Sequence, residues 1–129
     1  MSIAHLIDHT NLKPESTGAD IHKLVAEATE HGFASVCVNG VFAADVAKAL
    51  AGSNVRTCAV AGFPLGAMKA THKAIEATGL VKDGADEIDL VAHLPNLLKK
   101  DVVAVKAELL EVVKGVRAVN SRVVVKVIV

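Results

Sequence analysis

The chain has 129 residues, 14 basic and 14 acidic side chains, and an apolar fraction of 52%. This length predicts one domain, residues 1–129, and the balanced charge argues against nucleic acid as a partner. No apolar run approaches the ~20 residues of a membrane span, and the segment MSIAHLIDHT lacks the order of a signal peptide. Two cysteines inside apolar runs, Cys37 and Cys58, are typical of buried thiols in a reducing compartment, so we predict a cytoplasmic protein.

Short β-branched segments alternate with helical ones along the whole chain. The predicted strands are AHLIDHT, ASVCVNG, VRTCAVAG, DEIDLVAH and RVVVKVIV. The predicted helices are DIHKLVAEATEHG, FAADVAKALAG, AMKATHKAIEATGLVKDG and DVVAVKAELLEVVKGVRAVN. The first helix has its apolar residues on one face, Thr17 as an N-terminal cap with Asp20 three residues on, and Gly32 at its end. Strictly alternating strands and helices predict right-handed βαβ units and a parallel sheet.

Two parallel architectures are compatible with this alternation, a doubly wound open sheet and part of a (βα)₈ barrel. A doubly wound nucleotide-binding domain needs a Gly-rich turn after its first strand. TNLKPESTG follows the first strand here and contains no such motif. A free-standing open-sheet binding module is therefore the weaker alternative, and we predict about four and a half βα units of a barrel.

Four strands each place a polar residue on one common face of the predicted sheet. Ile88 and Leu90 share the opposite face from Asp89, and the same alternation separates Lys126 from its neighbouring valines. By the same parity Asp8 and Cys37 point to the side of Asp89 and Lys126. Polar side chains on the inner face of barrel strands line the pocket of such folds.

Asp89 and Lys126 are the first candidates for chemistry, near the ends of neighbouring strands. Their pairing is compatible with a buried ion pair that fixes strand register or with a proton-handling pair in an active site. An amine nucleophile needs a lowered pKa, whereas a nearby carboxylate raises it. These residues therefore predict an electrostatic role for Lys126.

The other candidates have strong structural alternatives. Asp8, expected at the end of the first strand, would also serve to cap the following turn. Cys37 is more simply a small buried residue than a nucleophile. GFPLG, at 62–66, would allow close ligand approach but is equally typical of an ordinary βα turn. Neither the histidines nor the cysteines have metal-ligand spacing, so we predict no metal and no cofactor.

Five motifs together resemble the deoxyribose-phosphate aldolase family. LIDHTNLKP, ASVCVNG, GFPLGA, GADEIDLV and VKVIV occur in the family's order and approximate spacing. The resemblance implies a (βα)₈ barrel and the reversible cleavage of 2-deoxy-D-ribose 5-phosphate to acetaldehyde and glyceraldehyde 3-phosphate through a Schiff base, without a metal. It also departs in detail, since Gly40 stands where the family usually has proline and VAHLPNLLKKD differs from the usual loop.

The resemblance assigns roles to the same four residues. Asp89 matches the family's proton-relay aspartate, and Lys126 matches the lysine beside it on the fifth strand. Asp8 and Cys37 match positions that line the substrate pocket, where a small phosphorylated sugar or aldehyde would bind.

The family's remaining site elements lie further along the barrel. Its Schiff-base lysine sits on strand six in a KTSTG-like motif, a second lysine on strand seven, and the phosphate loops after strands seven and eight. The resemblance therefore implies that 1–129 is the N-terminal half of the barrel and is inactive alone. Two open sheet edges and an uncovered inner face then predict a homodimer. The alternative is a structural half-barrel that self-associates and has no catalytic role.

Overall fold

The computed structural model describes residues 3–129; Met1 and Ser2, the start of the predicted domain, lie outside the described residues. Five parallel strands form one sheet in the sequential order β1-β2-β3-β4-β5. The strands are β1 Asp8–Asn11, β2 Ser35–Val38, β3 Arg56–Ala61, β4 Glu87–Val91 and β5 Val124–Ile128. The helices are α1 Gly18–His31, α2 Ala43–Ala49, α3 Ala70–Lys82, α4 Leu94–Leu98 and α5 Val102–Val119. Sequential order without reversal confirms the barrel-type α/β fold over the doubly wound alternative.

Local signals place the first helix where the sequence predicts it. The Thr17 side chain accepts a hydrogen bond from the Asp20 backbone N–H, and the Asp20 carboxylate accepts one from the Thr17 backbone N–H. This reciprocal pair satisfies two donors that the helix cannot satisfy internally. Gly32 ends the helix with φ 66°, a conformation that costs glycine little.

Three parts of the expected secondary structure are wrong. The first strand begins only at Asp8, because Ala4–Leu6 forms a 3₁₀ helix and the pairing with β2 starts at Asp8 and Ser35. Leu6 is 73% exposed and shares no strand face with Asp8. The short helix α4 and the 3₁₀ helix Gly40–Phe42 are additional elements, since segments of three to five residues carry too little periodicity to be recognised.

The two faces of the sheet have different roles. The helices cover one face of the sheet, here called the outward face, and the opposite face is the inward face. The outward residues of β2, β3 and β4 pack under the helices in two apolar clusters. They are Val36, Val38, Ala59, Ala61, Ile88 and Leu90, all fully buried. The inward face has only a small apolar cluster of Cys37, Cys58 and Val60 with Leu12 beside it. The helices therefore anchor one face, and the polar side chains collect on the other.

Candidate active site

Lys126 extends from the edge strand β5 over the inward face and is surrounded by three carboxylates. Its Nζ atom is 2.8 Å from Asp8 Oδ2, 2.9 Å from Glu87 Oε2 and 3.0 Å from Asp89 Oδ1. The register explains this arrangement, because Asp89 and Lys126 are direct partners in β4 and β5. The structure thus brings all four predicted site residues together, three in direct ion pairs and Cys37 against Asp89, and adds Glu87.

The positions of Asp89 and Lys126 correct one expectation. Each is the middle residue of its five-residue strand, β4 or β5, and does not lie near a strand end. A residue in mid-strand has paired residues before and after it along the strand, so its side-chain direction is fixed more firmly than at a strand end.

Asp8 is the first residue of β1, whereas the sequence analysis predicted it at the carboxyl end of that strand. Its carboxylate accepts hydrogen bonds from Ser35 Oγ at 2.7 Å and from Lys126 Nζ at 2.8 Å. These partners lie on other strands, so the side chain links β1 to β2 and β5. The interpretation of Asp8 as the cap of the following turn is therefore wrong.

The electrostatics of Lys126 oppose nucleophilic behaviour in this arrangement. Burial acts to lower the pKa of Lys126, but hydrogen bonds to Asp8 and Glu87 outweigh it and raise the pKa well above the usual 10.5. Burial likewise acts to raise the pKa of Asp8, but hydrogen bonds from Lys126 and Ser35 lower it below 3.8. Both groups are therefore charged at neutral pH, and Lys126 remains an ammonium ion.

Cys37 lies next to this charged group and is buried, as predicted. Its side chain is 2% exposed, and its Sγ atom donates to Asp89 Oδ2 at 3.7 Å. Cys58 on the neighbouring strand is the register partner of Cys37 and is also a free, buried thiol. The hydrogen bond with Cys37 raises the pKa of Cys58 far above its usual 9.0, and burial acts in the same direction to a smaller extent.

Glu87 and Arg56 are inward residues that the sequence analysis missed. Arg56 Nη1 donates to Glu87 Oε1 at 2.7 Å, while the other Glu87 oxygen faces Lys126. The alternation of side chains along a strand predicts their direction, because residues two positions apart share a face. Glu87 lies two positions before Asp89, and Arg56 lies two positions before Cys58. The inward face is therefore a connected network of charges, more polar than the valine-rich last strand indicates.

A second charged pair lies outside this face and had no sequence signal. Lys73 on α3 is fully buried and donates to Glu108 on α5 and to the Val91 backbone oxygen at 2.7 Å. Glu108 also accepts from the His93 backbone N–H at 3.1 Å. The pair joins two helices to the carboxyl end of β4, two residues beyond Asp89. It therefore fixes the strand that carries the candidate aspartate.

The GFPLG turn, between β3 and α3, packs closely against the same region. Gly62 and Gly66 have φ 63° and 62°, and a Cβ at Gly66 would overlap the Ala92 backbone oxygen. Glycine is required here for the path of the backbone. Close packing within the protein thus accounts for Gly66 without a ligand.

Comparison with known proteins decides the family. The DeoC/LacD family aldolase profile matches residues 2–121. The chain belongs to this aldolase family. It is 47% identical over 128 residues to the deoxyribose-phosphate aldolase of Thermoanaerobacter sp. (strain X514), covering 99% of this chain and 57% of that protein. It is 46% identical over 129 residues to the Deinococcus radiodurans deoxyribose-phosphate aldolase, covering 100% of this chain and 57% of that protein.

Solved aldolase structures share the fold. A putative deoxyribose-phosphate aldolase from Coccidioides immitis superposes with a TM-score of 0.86 at 35% identity, covering 97% of this chain and 48% of that one. The Aeropyrum pernix deoxyribose-phosphate aldolase, described as having a unique tetrameric structure, superposes with a TM-score of 0.78 at 33% identity. The match covers 96% of this chain and 50% of that one. The chain thus spans about half the length of these aldolase relatives. No helix within residues 3–129 has the length and apolar character needed to cross a membrane.

Proposed function

We propose that this chain forms the first five strands of a deoxyribose-phosphate aldolase barrel and supplies its proton-handling residues. The substrate would be 2-deoxy-D-ribose 5-phosphate, cleaved to acetaldehyde and glyceraldehyde 3-phosphate through a Schiff base. The observation that carries the proposal is the position of Lys126 among Asp8, Glu87 and Asp89 on the inward face. The reaction would take place in the cytoplasm, where the free thiols of Cys37 and Cys58 persist.

Asp89 has the geometry of a proton relay. It is partly exposed; its Oδ2 atom accepts from Cys37 Sγ, and its buried Oδ1 atom makes an ion pair with Lys126. Each carboxylate oxygen has two lone pairs, so Asp89 can take a proton from a bound water and return it to the reacting carbon. The Lys126 ammonium lies 3.0 Å from Asp89 Oδ1 and holds the carboxylate in place beside the pocket.

Lys126 would act electrostatically, and the Schiff-base amine would come from a sixth strand. Three carboxylates within 3.0 Å stabilise the protonated form of Lys126, and a protonated amine cannot attack a carbonyl carbon. The chain by itself is therefore expected to be inactive. Incubation with acetaldehyde and borohydride should give no stoichiometric mass increase; a rapid adduct mapped to Lys126 would make Lys126 the nucleophile.

The aldolase proposal is tested by split-barrel complementation. This chain would be mixed with the C-terminal part of the Thermoanaerobacter relative that lies beyond the matched region, and acetaldehyde release from 2-deoxy-D-ribose 5-phosphate would be followed by a coupled dehydrogenase. We expect activity with the parent chain and a loss of about 100-fold or more with Asp89→Asn. Lys106→Met, an exposed substitution on α5, is the control. A complex that forms but releases no acetaldehyde would contradict the proposal.

The chain alone is further proposed to form a homodimer through its inward face and edge strands. Within the described chain, β1 and β5 each have one neighbour, and Val124 and Ile128 on the inward face are 42% and 37% exposed. Unpaired strand edges and exposed apolar side chains favour self-association. Light scattering at low micromolar concentration should give twice the mass of 13.4 kDa, whereas a folded species at 13.4 kDa would contradict a dimer.

A further inference from the structure

Two cysteines that are separated in sequence meet on the inward face beside an aspartate. Cys37 and Cys58 are register partners on β2 and β3, and both point inward. One Sγ atom from each cysteine and one carboxylate oxygen of Asp89 all lie within 4.8 Å of one another. We propose that Cys37, Cys58 and Asp89 form a binding site for a thiophilic divalent metal ion such as Zn²⁺.

The distances suit tetrahedral coordination. A Zn–S bond of about 2.3 Å places two sulfur ligands about 3.8 Å apart in a tetrahedral site. Side chains now within 4.8 Å therefore need to move by no more than about 1 Å. Both thiols extend from neighbouring strands of one sheet, so the backbone holds them ready for this geometry. Three protein ligands leave a fourth position for water or a small anion.

The ligand types select the metal class. Two thiolates and one carboxylate favour Zn²⁺ and similar ions over Mg²⁺ or Ca²⁺, which prefer oxygen ligands alone. The thiols are 2% and 0% exposed, so ligand exchange with bulk water is restricted once the ion is bound. Cys37 already donates to Asp89 Oδ2 at 3.7 Å, so these two ligand groups point at each other.

Charge balance allows the exchange of protons for the ion. Binding a divalent cation while losing two thiol protons leaves the net charge of the inward face unchanged. Lys126 is a competing cation for Asp89, at 3.0 Å from its Oδ1 atom. Asp8 and Glu87 can retain Lys126 when the ion takes Asp89, because they lie at 2.8 and 2.9 Å from its Nζ atom.

Metal binding itself is independent of the proposed aldol reaction. An ion bound to Asp89 would also occupy the proposed proton relay and would therefore inhibit the aldol reaction. That inhibition, unlike the binding, rests on the proposed function. The binding test therefore uses the isolated chain and reads the metal directly. A failed binding test would leave the aldolase proposal untouched, and a failed complementation would leave the metal site untouched.

The experiment is a Co²⁺ titration of the reduced, metal-free chain, followed by competition with Zn²⁺. We expect a cobalt–thiolate charge-transfer band that saturates at about one ion per chain and disappears as Zn²⁺ displaces Co²⁺. Cys37→Ser and Cys58→Ser should each weaken binding by more than about tenfold, and Asp89→Asn should weaken it while the band remains. Lys126→Met should strengthen metal binding, because it removes the cation that competes for Asp89. Glu111→Gln, an exposed carboxylate on α5, is the control and should bind as the parent does.

X-ray absorption of the Zn²⁺-bound parent chain keeps the test decisive if a cysteine variant fails to fold. Two sulfur ligands at about 2.3 Å support the site. Fewer than two sulfurs, or the absence of a charge-transfer band in the titration, would overturn the proposal. An unchanged band in folded Cys37→Ser and Cys58→Ser variants would overturn it as well.

Discussion

Asp89 and Lys126 face each other across neighbouring parallel strands, with Asp89 Oδ1 3.0 Å from Lys126 Nζ. The pair does not stand alone, because Asp8 and Glu87 contact the same ammonium group. Lys126 is thus the cation common to three carboxylates from β1 and β4, and Arg56 additionally contacts one of them, Glu87. This arrangement makes Lys126 the residue on which the electrostatics of the inward face depend.

Lys126→Met should lower the free energy of unfolding by about 2 kcal/mol at neutral pH, as measured by urea denaturation. The substitution keeps much of the volume but leaves Asp8, Glu87 and Asp89 without their common cation, and the partial exposure of the group moderates the loss. Lys106→Met is the matched control on an exposed helix face and should change stability by less than about 0.5 kcal/mol. Equal stability of the two variants would show that water screens the three carboxylates.

The stability of the chain should fall at acidic pH because of Asp8. The pKa of Asp8 is lowered in the folded chain, so its contribution is complete above the usual value of 3.8 and is lost as the pH falls through the lower folded value. The parent should therefore be more stable than Asp8→Asn at pH 7, and the difference should shrink below about pH 4. A difference in unfolding free energy that stays constant from pH 7 to pH 3 would contradict this account.

The buried pair of Lys73 and Glu108 should show strong non-additivity. Lys73→Met alone should cost about 3 to 5 kcal/mol, since it leaves a buried carboxylate without its partner. Lys73→Met combined with Glu108→Leu should recover much of this loss, because no buried charge remains. Urea denaturation of both single variants and the double variant gives the coupling energy; additive losses would mean that the two residues act separately.

Gly66 should not tolerate a side chain. Gly66→Ala places a Cβ against the Ala92 backbone oxygen at a residue with φ 62°, so we expect a loss of about 2 kcal/mol or more. Gly18→Ala is the matched control, since a Cβ at this first residue of α1 meets no atom within 4 Å. Its effect should remain within about 0.5 kcal/mol. Thermal unfolding followed by circular dichroism compares the two, and equal midpoints would contradict the steric argument.

The sequence by itself determined the order and type of the long elements and the inward direction of Asp89 and Lys126. Alternation of strand and helix predicted the parallel sheet, and parity within EIDLV and VVVKVIV placed Asp89 and Lys126 on one face. The sequence also predicted that α1 is capped by Thr17 and ends at Gly32, because helix boundaries depend on groups a few residues apart. Such features are local, so no knowledge of distant segments is needed to predict them.

Only the tertiary structure decided which side chains meet. Asp8 and Lys126 are separated by 118 positions in sequence, and their 2.8 Å contact follows from the curvature that brings β1 toward β5. The joining of Lys73 to Glu108 across α3 and α5 depends in the same way on helix packing. Periodicity gives the face on which a residue lies but not the partner opposite it, because that partner is set by strand register and by the packing of separate helices.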